Sequence, residues 1–267
     1  MPTIPGAAIA RDLPGIAALG QGRAVRDEVW AGLRVRVTGG VDHEGGGSGP
    51  VVVLLHGFGA PGDDLVGVWR TLRVARETRF VFPEAPIALA GAGPGARAWW
   101  RIDPAVFEAR ARGAAHDRSD EEPPGMTEAH AKIVALLDEL PARLGVARGR
   151  IALGGFSQGA MLACDVALRD AHPLAALVLL SATLLAQEAW VAGMPARRTL
   201  PVFQSHGRRD PLLPFDAAVR LRDLWRAAGA SVEWHEFPGV HEIPLGVVEP
   251  LGAFLDRHLP AIPGRSA

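Results

Sequence analysis

Gly155-Phe156-Ser157-Gln158-Gly159 sets one serine between two glycines, directly after the apolar run "RIAL" and directly before the helix-like "AMLACDVALRDAH". A serine on a tight strand-to-helix turn presents its hydroxyl beyond the end of the strand. Glycines on either side let the two backbones come closer than a Cβ would permit. The chemistry open to such a hydroxyl is attack on an acyl carbon, with an acyl-enzyme as intermediate. The pattern means little without that context: "GGGSG" at residues 45–49 lies in a loop, with Pro50 where the closing glycine should stand. The bland reading of Ser157 is a cap for the helix that follows it.

A serine hydroxyl is a weak nucleophile until a base takes its proton, and that base needs a carboxylate to orient it. For a serine on this kind of turn the acid is expected next in the chain and the histidine last. Of the nine histidines, His241 in "FPGVHEIP" follows the last strand-like run in a Pro-Gly loop, where it could meet Ser157. His235 sits inside the alternating "VEWHEF" and reads as a strand residue contacting a helix. His43, His116, His130, His172 and His258 fall in loops or on helix faces elsewhere. Asp210 in "QSHGRRDPLLP" follows the preceding run, and Pro211 favours an extended backbone at Asp210 that keeps it out of a helix. Its bland reading is a turn aspartate, and Asp216 is the reserve candidate although "PFDAAVRL" makes it a helix first-turn residue. Two amides must await the oxyanion. Gln158 N–H, at the start of the helix, is one, and Phe58 N–H, between Gly57 and Gly59 after "VVVLLHG", is the other.

Elements must bring these residues together. "VWAGLRVRVTGGV" alternates from Leu33 to Thr38, as a half-solvated antiparallel strand does, and "HEGGGSGP" after it is expected to be a loop. From Val51 onward short apolar runs, "VVVLLHG", "RFVFPEAP", "RIALGGFS", "ALVLLSA", "PVFQSHG" and "SVEWHEFPG", alternate with amphipathic segments such as "MTEAHAKIVALLDELPARLG" and "PFDAAVRLRDLWRAAG". Runs without polar interruption suit strands covered on both faces, so the prediction is a doubly wound, mostly parallel α/β sheet with an antiparallel N-terminal edge and helices on both sides. Ligands in such sheets sit beyond the carboxyl ends of the strands. An irregular arm is expected over residues 1–24, one domain over 25–262, and a charged surface loop at about 108–125, with a lid over the site as the loop's alternative role. Trp99, Trp100, Leu212, Leu213 and Phe215 lie near strand ends and could line an apolar acyl pocket, or could be ordinary core.

"GFGAPG" at 57–62 also satisfies G-x-G-x-x-G after a strand, and Glu84 ends the next run about where a ribose-binding acid would lie. Pro61 stands where helix amides should face a pyrophosphate, and the stretch after Glu84 is loop-like, so the dinucleotide reading is the weaker one. Formal net charge is −1, so there is no basic field to hold nucleic acid or an anionic membrane surface. The single cysteine, Cys164, excludes an internal disulfide framework and reads as a buried helix residue. An H-E-x-x-H motif is absent, and His206 beside Asp210 is more economically a strand-end histidine than a metal ligand. No run approaches the roughly 20 apolar residues of a membrane span, and "MPTIPGAAIARDLPG" has neither a basic start nor an unbroken apolar stretch. A cytoplasmic protein is the expectation.

With these residues in hand the chain resembles the α/β-hydrolase superfamily, and within it the phospholipase/carboxylesterase family that includes acyl-protein thioesterases. "LLHGFGAPGDD", "FPEAPIALAGAGPGARAWWRID", "RIALGGFSQGAML", "HGRRDPLLP" and "PGVHEIP" carry the resemblance in the family's order over roughly residues 50–258. The resemblance implies Ser157 as nucleophile, His241 as base, Asp210 as orienting acid, and Phe58 and Gln158 as oxyanion amides. It implies a small-molecule ester substrate and neither metal nor organic cofactor. The expected function is hydrolysis of small or medium acyl esters. Thioesterase or lysophospholipase activity, or a binding role without catalysis, are the alternatives. One departure is Ala98-Trp99-Trp100, where members near the protein thioesterases carry Ser-Trp-Phe.

Overall fold

The computed structural model describes residues 25–103, 105–106 and 118–259. The predicted arm at 1–24 and most of the predicted charged loop lie outside the described residues.

The chain begins with strands β1 (Arg26–Trp30), β2 (Leu33–Gly40), β3 (Glu44–Gly46) and β4 (Val51–Leu55), then the single turn α1 (Val66–Trp69). Strand β5 (Arg79–Pro83) is followed by a small ribbon of β6 (Ile87–Ala88) and β7 (Arg97–Ala98). Regular alternation then sets in: α2 (Met126–Leu144), β8 (Ile151–Phe156), α3 (Gln158–Arg169), β9 (Ala176–Leu180), α4 (Gln187–Gly193), β10 (Val202–Gly207), α5 (Phe215–Ala227), β11 (Val232–Phe237) and α6 (Leu245–His258). The main sheet runs β1-β2-β5-β4-β8-β9-β10-β11, with β3 joined to β2. β1 with β2 and β2 with β5 are antiparallel, and every pair from β5–β4 through β10–β11 is parallel. This is the predicted mostly parallel sheet with an antiparallel N-terminal edge.

The alternation of side chains along each strand divides the core into two layers. Val51, Val53 and Leu55 of β4 pack in one cluster with α2, α3 and α4, while Val52 and Leu54 pack in the other with α1 and α6. On β9, Leu177 and Leu179 go one way and Ala176, Val178 and Leu180 the other. Uninterrupted runs of apolar residues are therefore required, because both faces are covered. In α2 the buried Ala129, Ile133, Leu136, Leu137, Leu140 and Leu144 recur three and four residues apart, the stripe of a helix with one dry face. α3 is different: eleven of its twelve residues are buried, which places the helix after Ser157 at the centre of the molecule.

Two stretches predicted as loops contain strands. In "HEGGGSGP" the Asp42 carboxylate accepts hydrogen bonds from the Glu44 and Gly46 amides at 2.8 Å each, holding β3 against β2. After Glu84, Ile87 pairs with Ala98 and Ala88 with Arg97. Two-residue strands are too short for any periodicity to announce them. Ser119, in the part of the charged stretch that is described, is buried, and its carbonyl and that of Glu121 accept the Gln187 and Ala186 amides, so this part is docked on the start of α4.

Asp64, between β4 and α1, is a cost within this fold. Both of its carboxylate oxygens are shielded from solvent and make no hydrogen bond. Burial raises its pKa to about 7, and the nearby Leu65 amide, without hydrogen-bond geometry, offsets this only in part. The folded chain thus holds a proton that the unfolded chain releases near pH 4, so stability falls as pH rises between about 4 and 7 and stays low above. The penalty is on the order of 4 kcal/mol at pH 8. Asp64→Asn is expected to flatten this slope, exceeding the parent in urea-unfolding free energy at pH 8 but not at pH 4. An unchanged pH slope in the variant would contradict the assignment.

Candidate active site

Ser157 stands between β8 and α3 with φ 54° and ψ −119°, a backbone conformation that costs a non-glycine residue on the order of 1–3 kcal/mol. Neighbouring elements hold it there: the Ser157 amide donates to Leu180 O of β9 at 2.9 Å, and Ser157 O accepts from Met161 N at 3.0 Å. The flanking glycines are needed for space. A Cβ on Gly159 would lie 2.2 Å from Leu55 O, and one on Gly155 would lie 2.5 Å from the same oxygen. Neither position has a left-handed φ. Gly159→Ala must therefore push α3 away from β4, and we expect a loss of several kcal/mol in denaturant unfolding or no soluble protein. A Gly159→Ala variant of parental stability would refute this reading of the turn.

Asp210 lies in the turn after β10. Its Oδ1 accepts the Leu212 and Leu213 amides at 2.8 and 2.9 Å, and its Oδ2 accepts from His241 Nδ1 at 2.6 Å. The carboxylate is fully buried and the imidazole nearly so, with the His241 ring 4.7 Å from that of Phe156. Burial pushes the Asp210 pKa up, but the His241 hydrogen bond and charge, the Leu213 amide and His206 outweigh it, and the net position is below the ordinary value. An ionised carboxylate can only accept, so His241 carries its proton on Nδ1 and leaves Nε2 as the basic nitrogen. His206 at the end of β10 donates from Nε2 to Leu213 O at 3.0 Å and lies 3.4 Å from Asp210. Burial lowers its pKa, and it ties the turn that carries Asp210.

Ser157 and His241 line one cleft of about 1000 Å³, together with Gly57, Phe58 and Gln158. Of the five predicted pocket residues, Trp100, Leu212 and Leu213 face it. Trp99 and Phe215 do not. The Trp99 side chain is turned inward, its indole donating to His56 O at 2.9 Å. Phe215, the first residue of α5, has its ring beside Trp234 at 5.9 Å and the Arg208 guanidinium at 5.2 Å. Met161, Leu184, Leu185 and Ile102 also belong to its apolar wall. They follow β8 and β9 or precede the charged stretch, and in the sequence nothing separates them from core residues.

The other candidates are accounted for elsewhere. His235 is in β11, stacked on Phe203 at 4.8 Å, and so touches a neighbouring strand as well as Glu233. Asp216 is in the first turn of α5. Cys164 is buried in α3. Glu84 meets Arg97 and Arg36 at 3.1 and 3.6 Å, and a Cβ on Gly62 would touch its side chain. The 57–62 loop thus closes on Glu84, and no helix starts there to hold a pyrophosphate. Among the described residues no group of three or more His, Cys, Asp or Glu side chains could hold a metal ion, and no helix is long and apolar enough to cross a membrane.

The family profile described as Phospholipase/Carboxylesterase matches residues 41–259. Acyl-protein thioesterase 1 of Neurospora crassa is 27% identical over 224 residues, which is 80% of this chain and 89% of the relative. Acyl-protein thioesterase 1 of Gibberella zeae is 28% identical over 218 residues, 78% of this chain and 90% of the relative. Among solved structures, esterase PE8 is 29% identical with a TM-score of 0.71, covering 85% of this chain and 99% of its own. The carboxylesterase of Bacillus cereus, 20% identical with a TM-score of 0.62 over 85% of this chain and 94% of its own, shares the fold. The chain belongs to the phospholipase/carboxylesterase family of α/β-hydrolases and is an enzyme of the serine hydrolase class.

Proposed function

We propose that Ser157, His241 and Asp210 are the catalytic triad of a carboxylesterase that hydrolyses small or medium acyl esters. The observation that carries this reading is the 2.6 Å Asp210–His241 hydrogen bond at the wall of the cleft that Ser157 also lines. Ser157 Oγ attacks the ester carbonyl carbon and its proton passes to His241 Nε2. The Phe58 and Gln158 amides hold the oxyanion that forms. The carbon–alkoxy bond breaks as the Nε2 proton moves to the leaving oxygen, and the alcohol departs. Water then attacks the acyl carbon, gives a proton to Nε2, and the carbon–Oγ bond breaks as Oγ takes that proton back. Asp210 remains ionised throughout and steadies the imidazolium.

The wall of Trp100, Ile102, Met161, Leu184, Leu185, Leu212 and Leu213 suits an acyl chain, while Arg101, Asp103 and Arg118 line the same cleft. A thioester substrate needs the same groups, with a thiolate in place of the alkoxide, and the names of the two fungal relatives favour it as the second reading. A fluorophosphonate should modify one residue, Ser157, as located by mass spectrometry of the labelled peptide. Labelling at another residue, or undiminished turnover by the fully labelled enzyme, would overturn the assignment. A p-nitrophenyl ester chain-length series, run beside an acyl-thioester, separates the two substrate readings.

A further inference from the structure

The two amides assigned to the oxyanion lie on segments far apart in the chain: Phe58 follows β4 and Gln158 opens α3. Such donors help only if they are fixed before charge develops, so their spacing must be built into the ground state. We propose that Trp99 is the positioning residue that sets this spacing, by bonding at once to the segment bearing Phe58 and to the residue Gln158. The proposal rests on the triad reading above.

On one side, Trp99 Nε1–H donates to His56 O at 2.9 Å, directly ahead of the loop. His56 is itself locked: Nδ1 meets Gly57 O at 2.8 Å and Nε2 accepts the Ala85 amide at 3.0 Å. One ring nitrogen must carry the proton and the other a lone pair, as in a neutral imidazole, and full burial lowers its pKa to about 4. The peptide joining Gly57 to Phe58 is planar and trans, so anchoring Gly57 O on the buried imidazole aims Phe58 N–H the opposite way. Beyond Phe58, Gly59 N donates to Arg97 O at 2.8 Å and Arg97 N to Ala60 O at 3.1 Å, fastening the far end of the loop to β7.

On the other side, the Trp99 amide donates to Gln158 Oε1 at 2.9 Å, and Gln158 Nε2 donates to Trp100 O at 2.8 Å. The Gln158 side chain therefore fixes residues 99–100 against the first turn of α3, whose leading amide is the second donor. Trp99 is 1% exposed and its ring lies 5.4 Å from that of His56, so the brace has little freedom. It joins the segments that carry the two donors without passing through the sheet.

The test compares Trp99→Phe, which keeps most of the ring and loses the indole N–H, with Gln158→Met, which keeps length and loses both side-chain bonds. Rates are expressed per site titrated with fluorophosphonate, so a smaller folded fraction does not register. Each variant is expected to lose about 10- to 100-fold in kcat with KM changed less than about threefold. A trifluoromethyl ketone, which forms a tetrahedral oxyanion adduct, should bind more weakly by the factor lost in kcat/KM. The double variant should lose less than the product of the single losses, since both cut one brace. Unchanged kcat per titrated site, or a rise in KM alone as for a pocket wall, would overturn the proposal. If Trp99→Phe does not fold, Gln158→Met decides by the same criteria. Failure of the parent enzyme to be titrated at Ser157 would instead sink the triad reading, so the two failures are distinguishable.

Discussion

Ser157→Ala is expected to lower kcat toward esters by about 10⁵-fold, with substrate affinity and stability close to the parent's. In the proposed mechanism the loss follows from removing the atom that forms the acyl-enzyme. What remains is catalysis by the oxyanion amides and by orientation alone. Stability should hold because serine and alanine share the Cβ that decides the strain at φ 54°, and the hydroxyl does not cap α3. The measurement is single-turnover hydrolysis of a p-nitrophenyl ester, where the burst of nitrophenolate should vanish together with fluorophosphonate labelling. A variant that keeps more than about a hundredth of the parental kcat would mean that the elbow displays a structural serine and that hydrolysis uses another group.

The sheet and the elbow were legible because their causes are local. A strand covered on both faces must be apolar at every position, and "VVVLL" and "ALVLL" say so without help from the rest of the chain. The glycines around Ser157 record a distance: at 2.2 and 2.5 Å from Leu55 O there is no room for a methyl group. Asp210 and His241 stand out as candidates by a similar logic, since each follows a strand in a Pro- or Gly-bearing loop at the same edge. The orientation of aromatic side chains was not legible. "AWWRID" shows two tryptophans after a short strand, and nothing local decides which indole faces the cleft and which turns under the Phe58 loop. Trp99 is turned inward because His56 O, 43 residues away, accepts its N–H. Phe215 was misplaced for a related reason, as its partners Trp234 and Arg208 come from β11 and the end of β10. His56 was overlooked although "LLHGFG" contains the signal: a histidine closing a fully buried strand and entering a glycine loop needs partners for both ring nitrogens. Those partners, Gly57 O and the Ala85 amide, make it part of the loop's support.

Asp210→Asn is expected to lower kcat by about 10⁴-fold near neutral pH while leaving the fold intact. The carboxylate now accepts on both sides, from the Leu212 and Leu213 amides on Oδ1 and from His241 on Oδ2. An asparagine has one accepting atom and one donating group, so it must fail one side. If its oxygen keeps the two amides, its NH₂ confronts His241 Nδ1, which must then accept. The proton moves to Nε2, and the nitrogen needed to deprotonate Ser157 has none of its lone pair left. If the oxygen turns to His241 instead, two buried amides lose their partner and the 210–213 turn loosens. The first route abolishes general-base action at His241, the second leaves its imidazolium without a carboxylate to steady it and its turn unfixed, and in either case the strongly deshielded proton NMR signal of the Nδ1–H···carboxylate bond should disappear. The same substitution acts on acid stability. Because the Asp210 pKa lies below its unfolded value, the ionised form stabilises the fold above about pH 4, and that contribution fades as pH falls through the folded value. Asp210→Asn should therefore unfold with a shallower dependence on pH in that acid range. A variant within tenfold of the parental kcat would reduce Asp210 to a turn residue that holds Leu212 and Leu213, and the carboxylate that orients His241 would have to be sought elsewhere.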